Sequence, residues 1–347
     1  MSTECTPRKP IPPMHLADGF LTPGVCLITG ALAAGAVGLS LKKLEQTYAA
    51  RTVPLTGMMA ALIFAGQMVN FPIGLPVSGH LLGGVLAAVI VGPWAGCLAV
   101  ALVLMVQMVL FADGGWLSYG ANLLNMGVVG SLGGYAIYAQ LRQWIGGPRG
   151  VLIGAVAAAW LSVLAGSTMF CIEFAGSHLN GDYDLGRIFG LMTVFHSVIG
   201  IGEALITGTI ISYVLAVRPD LIYSAEPALQ STTQRNLAGT GRFVWAGVIV
   251  ALAIAAFAAP FASEYADGLE AVAERMNFGQ LASESQPLVL GDYSLPLPGV
   301  DMSSSFWQKL SVSLAGLMGT MSVLAMALIF GRVFKPRLPS PETTHGI

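Results

Sequence analysis

Met14 and His15 stand side by side in PPMHLADGFLTP (Pro12–Pro23), with Asp18 and a tight Gly19 close behind. A thioether, an imidazole and a carboxylate in so short a lead-in are groups that bind transition metals. A second histidine, His80, follows PVSG and opens the glycine-rich start of GHLLGGVLAA. It reads either as a hydrogen-bonding residue at a helix end or as a metal ligand. His196 and Glu203 lie two helical turns apart in FHSVIGIGEALITG, so one helix face carries both. They read as a buried polar pair joining helices or as a proton or ion relay. Asn122 and Asn125 in GANLLNMG share a face, and hydrogen bonds between helices account for them. Gln67, Asn70 and Gln107 complete the polar set. Asp113-Gly114-Gly115 reads as a turn between spans.

These groups matter because of what surrounds them. The chain has 347 residues, 55% apolar and only 10% charged, where a soluble domain carries about 25% charged residues. Forty-three glycines scattered through apolar runs suit membrane helices that pack closely. An ionisable side chain at mid-membrane costs about 2.5–3.5 kcal/mol, so each one present needs a partner or a task. The expected fold is an all-α polytopic membrane helix bundle of about seven core segments plus two C-terminal transmembrane helices. Segments fall near 24–41, 52–70, 81–91, 93–112, 119–141, 150–172, 188–217, 242–262 and 306–331. The third is too short to cross comfortably and is expected to be re-entrant or packed inside. Gly92-Pro93 ends it, because proline disfavours helix at the residue before it.

Positive charge sets the orientation. With alternating crossings and the N-terminus outside, the inner connections carry Lys42, Lys43, Arg51, Arg142, Arg149, Arg218, Arg235, Arg242, Arg332, Lys335 and Arg337. The outer ones carry Arg8, Lys9, Arg187, Arg275 and Lys309. Residues 1–13 have two cations and a proline cluster but no apolar stretch, so they read as a disordered leader rather than a secretory signal. Residues 218–241 read as a polar cytoplasmic linker, and 336–347 as a polar tail. Between them, 242–335 forms a second unit of two spans and a long outer loop, in which SEYADGLEAVAERMNFGQ is a short surface helix opened by Asp267-Gly268.

Several chemistries are excluded. No H-E-x-x-H, G-x-x-x-x-G-K-[ST] or G-x-S-x-G motif occurs, so nothing marks a zinc protease, a phosphate-loop ATPase or a hydrolase elbow. No basic cluster of the kind nucleic acid requires is present. Cys5, Cys26, Cys97 and Cys171 are far apart and read as small apolar packing residues.

MHLADGFLTP resembles the N-terminal signature of the CbiM/NikM family, the substrate-capture membrane components of energy-coupling-factor importers for cobalt and nickel. The similarity runs through GQMVNFPIGLPVSGHLLGGVLAA and on to GANLLNMGVVG, resumes at FHSVIGIGEALITG, and covers residues 14–217. YADGLEAVAERMNFG with the span after it resembles the PDGLE-type (NikN/CbiN-like) accessory module, although Tyr265-Ala266 stands where that module has Ser-Pro. The resemblance implies a transporter rather than an enzyme, with Ni2+ or Co2+ as the transported substrate and no organic cofactor. It implies a transmembrane coupling subunit and cytoplasmic ATPase subunits as partners. The location implied is a bacterial-type cytoplasmic membrane, and the ion would serve cobalamin synthesis or nickel enzymes.

It also implies a ligand set: the amine of Met14, the amide and ring of His15, and the ring of His80. Four nitrogens suit nickel in a square plane. Met14 is internal in this chain, so the working protein is expected to begin at Met14. Asp18, Asn70, His196 and Glu203 are the candidates for a supporting shell or a polar pair. The region 263–305, which lacks His and Cys, is expected to serve transport rather than ion selection. Two rivals stand beside this reading. One is a proton-coupled secondary metal transporter using His196 and Glu203. The other is a membrane metallohydrolase with Asp18 as the acid, although Asp18 is as readily a helix N-cap.

Overall fold

A computed structural model describes residues 14–46, 51–74, 76–223, 237–283, 290–295 and 304–333. The expected leader and tail, and part of the linker, lie outside the described residues. The chain is an all-α polytopic membrane bundle. Its core unit runs through α1 (Pro23–Gln46), α2 (Thr52–Gln67), α3 (Gly84–Val91), α4 (Pro93–Phe111), α5 (Tyr119–Asn122), α6 (Gly134–Ile145), α7 (Gly147–Ser177) and α8 (Leu185–Val217). A stretch of wider π turns, Leu123–Gly133, joins α5 to α6 without a break. The C-terminal unit has α9 (Leu237–Ala253), continued to Phe261 by π and 3-10 turns, the short α10 (Gly268–Arg275) and α11 (Ser305–Val333). Among the described residues, six helices are long and apolar enough to cross a membrane, and α2 is a shorter apolar one.

Local sequence explains the element ends. α2 stops at Gln67 rather than at residue 70. Pro72 follows, and the chain enters a two-residue antiparallel pair, β1 (Phe71–Pro72) with β2 (Ser78–Gly79). α3 starts at Gly84, three residues after the expected Leu81, because Gly83 adopts a left-handed φ of 76°. All eight residues of α3 are buried, so this segment is packed inside. Gly92 and Pro93 separate it from α4 as expected.

Inside a membrane, helices gain nothing from leaving water, and close packing of small residues takes over. Gly84 shows how close. A Cβ there would lie 2.9 Å from the Gly130 backbone and 3.1 Å from the Met126 carbonyl oxygen. α7 and α8 form the most extensive antiparallel pair. The last two spans pack against the first unit. α9 and α11 pack on α2, and Val248, Ala251, Ala255, Val323 and Leu324 share one apolar core with α2, α3 and α4. Cys26, Cys97 and Cys171 are free and buried, as packing residues should be.

Candidate metal centre

The Met14–Thr22 segment is drawn into the bundle by polar residues from elsewhere. Asn122 grips Leu16 at two points: its Oδ1 accepts from the Leu16 N–H at 2.9 Å, and its Nδ2 donates to the Leu16 carbonyl at 3.1 Å. The Gly115 N–H donates to the same carbonyl at 2.8 Å. Asp18 Oδ1 accepts from the Leu117 and Ser118 N–H groups, both at 2.9 Å. Asp18 therefore caps the turn leading into α5, not its own helix α1. Gly115 makes the approach feasible, since a Cβ there would sit 2.0 Å from Asp18 Oδ1. At the rim, Ser177 Oγ accepts from the Thr22 N–H at 3.0 Å, and the His178 ring contacts the Phe20 carbonyl at 3.0 Å.

His15 is buried by this threading, and Asp113 receives it. The His15 N–H donates to Asp113 Oδ1 at 3.0 Å. His15 Nδ1 lies 2.9 Å from Asp113 Oδ2, a charge contact rather than a directed hydrogen bond. Burial alone would push the Asp113 carboxyl up, but the His15 ring, its amide and the Tyr293 hydroxyl outweigh burial and hold it below its usual value. Burial disfavours the His15 imidazolium, yet Asp113 beside it prevails and raises the ring's pKa. Tyr293 comes from the C-terminal unit, and its hydroxyl donates to Asp113 Oδ2.

His80 stands next to His15, with ring centroids 5.5 Å apart and planes inclined by 55°. Two imidazoles on one ion, at about 2 Å per metal–nitrogen bond, have centroids about 4.5–6.5 Å apart. The pair is spaced for one ion. His80 Nδ1 lies 3.1 Å from the Leu81 carbonyl. A carbonyl only accepts, so Nδ1 carries the proton and Nε2 keeps its lone pair, the usual arrangement of a ligating histidine. Burial, then the neighbouring His15, lowers the His80 pKa to about 4, which keeps the ring neutral.

Glu203 fixes the loop behind His80. It is fully buried, and its two carboxylate oxygens accept from the Leu82 N–H at 2.7 Å and the Gly83 N–H at 2.9 Å. Those donors lie just ahead of α3, whose N-cap residue, Gly83, has no side chain of its own to cap the helix. Glu203 is an N-cap supplied from α8, and a carboxylate there also meets the positive end of the helix dipole. The expected His196–Glu203 partnership does not form. His196 Nδ1 instead donates to the Met192 carbonyl at 2.8 Å.

His15, His80 and His196 line a single cavity of about 100 Å³, with Met14, Met126, Met192, Asn122, Asn125 and Asp267 among its other walls. Among the described residues, no three His, Cys, Asp or Glu side chains converge on one point. Asn125 Nδ2 donates to Glu173 Oε2 at 2.9 Å, the bond between helices expected of this asparagine. Asn122 serves the N-terminal segment instead of a neighbouring helix. Gln107 donates to Gln67 at 2.8 Å, and Gln67 to the Leu82 carbonyl at 3.2 Å, a polar chain behind the His80 loop.

Asn70 does not reach the cavity; its carbonyl accepts from the Ser263 N–H at 2.8 Å. Sequence reasoning missed three residues. The sequence around Asp113 signals only a turn, yet the side chain is buried against His15. Glu173 sits deep in α7, where a carboxylate in an apolar helix was itself a signal. Tyr293 had no local signal at all.

The C-terminal unit, expected to serve transport rather than ion selection, supplies Asp267, Gly268 and Leu269 to the cavity wall. Ser78 donates to the carbonyls of Tyr265 and Ala266, from its hydroxyl at 2.7 Å and its N–H at 2.8 Å respectively. Asp267 opens α10 with a capping box. Its side chain accepts from the Glu270 N–H at 2.8 Å, and Glu270 in turn accepts from the Asp267 N–H. Burial raises Asp267 to about 7, partly offset by the N–H donor of Glu270, and burial with the Asp267 charge raises Glu270 to about 8.

Comparison with known proteins agrees with this architecture. The family profile for the cobalt uptake substrate-specific transmembrane region (CbiM) matches residues 15–221, and the PDGLE domain profile matches residues 241–336. The NikMN chain of Archaeoglobus fulgidus is 31% identical over 325 residues, covering 92% of this chain and 98% of that one. The fused nickel transport protein NikMN of Rhodobacter capsulatus is 31% identical over 67% of this chain and 70% of its own length. The cobalt transport protein CbiM of Sorangium cellulosum is 28% identical over 60% of this chain and 94% of its own. A crystal structure of a transition metal transporter superposes with a TM-score of 0.55 and 27% identity, covering 64% of this chain and 98% of that chain.

Proposed function

The chain belongs to the CbiM family of cobalt uptake substrate-specific transmembrane regions, with a PDGLE domain behind it, and on that premise we propose that it captures Ni2+ or Co2+ for an importer. The observation that carries this reading is the His15–His80 pair, two imidazoles 5.5 Å apart on one buried cavity. Both ions accept nitrogen donors, and the His80 tautomer leaves Nε2 free to bind. His15 supplies its ring and its amide nitrogen, and the Met14 amine joins them where the chain begins at Met14. Asp113 accepts from the His15 N–H and lies 2.9 Å from its ring Nδ1, so binding through these two nitrogens exchanges a proton for the ion, as ligation by these groups requires.

Energy for import comes from partners: a transmembrane coupling subunit and cytoplasmic ATPase subunits docking on the basic inner connections. The N-terminal segment faces the extracytoplasmic side of a bacterial-type cytoplasmic membrane, and the chain itself catalyses no reaction. Glu203 bears on the proton-coupled alternative, because both its oxygens are committed to the start of α3. Asp18 bears on the hydrolase alternative, because it caps the turn before α5 and does not line the cavity.

The test is equilibrium binding of Ni2+ and Co2+ to purified protein. His80→Ala is expected to abolish high-affinity capture of both ions while the protein stays folded; unchanged affinity would sink the assignment. Uptake that survives ATP depletion but collapses with an uncoupler would favour the secondary transporter instead.

A further inference from the structure

We propose that His196 is a second donor in the capture cavity, to which the ion passes from His15 by exchange of one imidazole for another, with His80 shared by both positions. This rests on the reading of His15 and His80 as capture ligands. Three imidazoles line one cavity of about 100 Å³, yet no three ligating side chains meet at one point among the described residues. An ion held by His15 and His80 is therefore not also held by His196. The rings are arranged for succession, not for one three-histidine centre.

The His196 tautomer suits the task. Nδ1 donates to the Met192 carbonyl at 2.8 Å, which leaves the lone pair on Nε2. The ring is also held in place, since a Cβ on Gly268 would lie 3.0 Å from its Cε1. In the same cavity wall, Asn125 Oδ1 is buried with no partner among the described residues, while its Nδ2 is committed to Glu173. That oxygen is a further neutral donor. A divalent ion cannot cross an apolar cavity bare, because uncompensated burial of a charge costs far more than any single contact returns. In the exchange, a bond from the metal to His196 Nε2 forms while the bonds to the His15 ring and to the backbone nitrogens of the N-terminal segment break, the amide nitrogen taking back a proton from water, with no change in the oxidation state of the ion.

The experiment uses the full-length chain in detergent, Ni2+ as the probe and X-ray absorption to count bound imidazoles. His15→Phe keeps a ring in place without donors; His15→Asn serves if that variant does not fold. A folded His15 variant is expected to bind Ni2+ more weakly but saturably, with two imidazoles. Adding His196→Phe is expected to remove one of them and the saturable binding. The proposal is overturned if the folded His15 variant binds no Ni2+, or if adding His196→Phe leaves the imidazole count unchanged. His80→Ala in the otherwise native chain is the separate control. Full affinity there would undo the capture reading itself, whatever His196 does.

Discussion

Replacing Glu203 by Gln separates a structural carboxylate from one in an ion path. The two Glu203 oxygens accept from two N–H groups, Leu82 at 2.7 Å and Gly83 at 2.9 Å, at the start of a wholly buried helix. Glutamine has one accepting oxygen, and its NH2 turns a donor toward the other N–H. An orphaned buried donor costs about 1–3 kcal/mol. Losing the negative charge at the helix start removes up to about 2 kcal/mol more. The two together predict a loss of about 1–5 kcal/mol in unfolding free energy. Denaturant unfolding of the solubilised protein, followed by far-ultraviolet circular dichroism, measures the loss. Metal uptake per folded molecule is expected to stay close to that of the parent. Unchanged stability with lost uptake would refute the capping argument and return Glu203 to an ion path.

The Asp113 carboxylate raises the His15 pKa against the effect of burial, so Asp113→Asn is expected to make the ring easier to deprotonate. The acid limb of Ni2+ binding should then move to lower pH; a limb that stays in place, measured across about pH 5–8, would separate Asp113 from His15. The capping box gives a dependence of opposite character. Asp267 and Glu270 are raised to about 7 and about 8 from 3.8 and 4.5, so the folded segment binds these protons more tightly than the unfolded one. Stability of the α10 segment is therefore greatest in acid and falls as pH rises through those raised values. Hydrogen exchange of the peptides spanning 263–283 should speed up, beyond its intrinsic pH dependence, between pH 5 and about pH 9, and Glu270→Gln should flatten that rise.

Composition and spacing alone determined that the chain is a helical membrane bundle, because about 20 apolar residues per crossing and a scarcity of charge leave few other folds. Gly92-Pro93 marked the break between α3 and α4, and Asp267-Gly268 the start of α10, because both depend on backbone preferences written within a few residues. His15 and His80 were legible as a pair through the resemblance of their motifs. What faces them was not. Asp113 reads locally as a turn, and only the insertion of Met14–Thr22 between distant segments turns it toward His15. Glu203 and His196 share a helix face, yet packing sends one to the start of α3 and the other to the cavity wall. Tyr293 lies 180 residues from Asp113, and the hydrogen bond joining them follows from α9 and α11 closing over α2. Helices and turns answer to neighbours along the chain; the partners of a buried polar group are chosen by whichever backbones pack against it, and that is decided only when the bundle assembles.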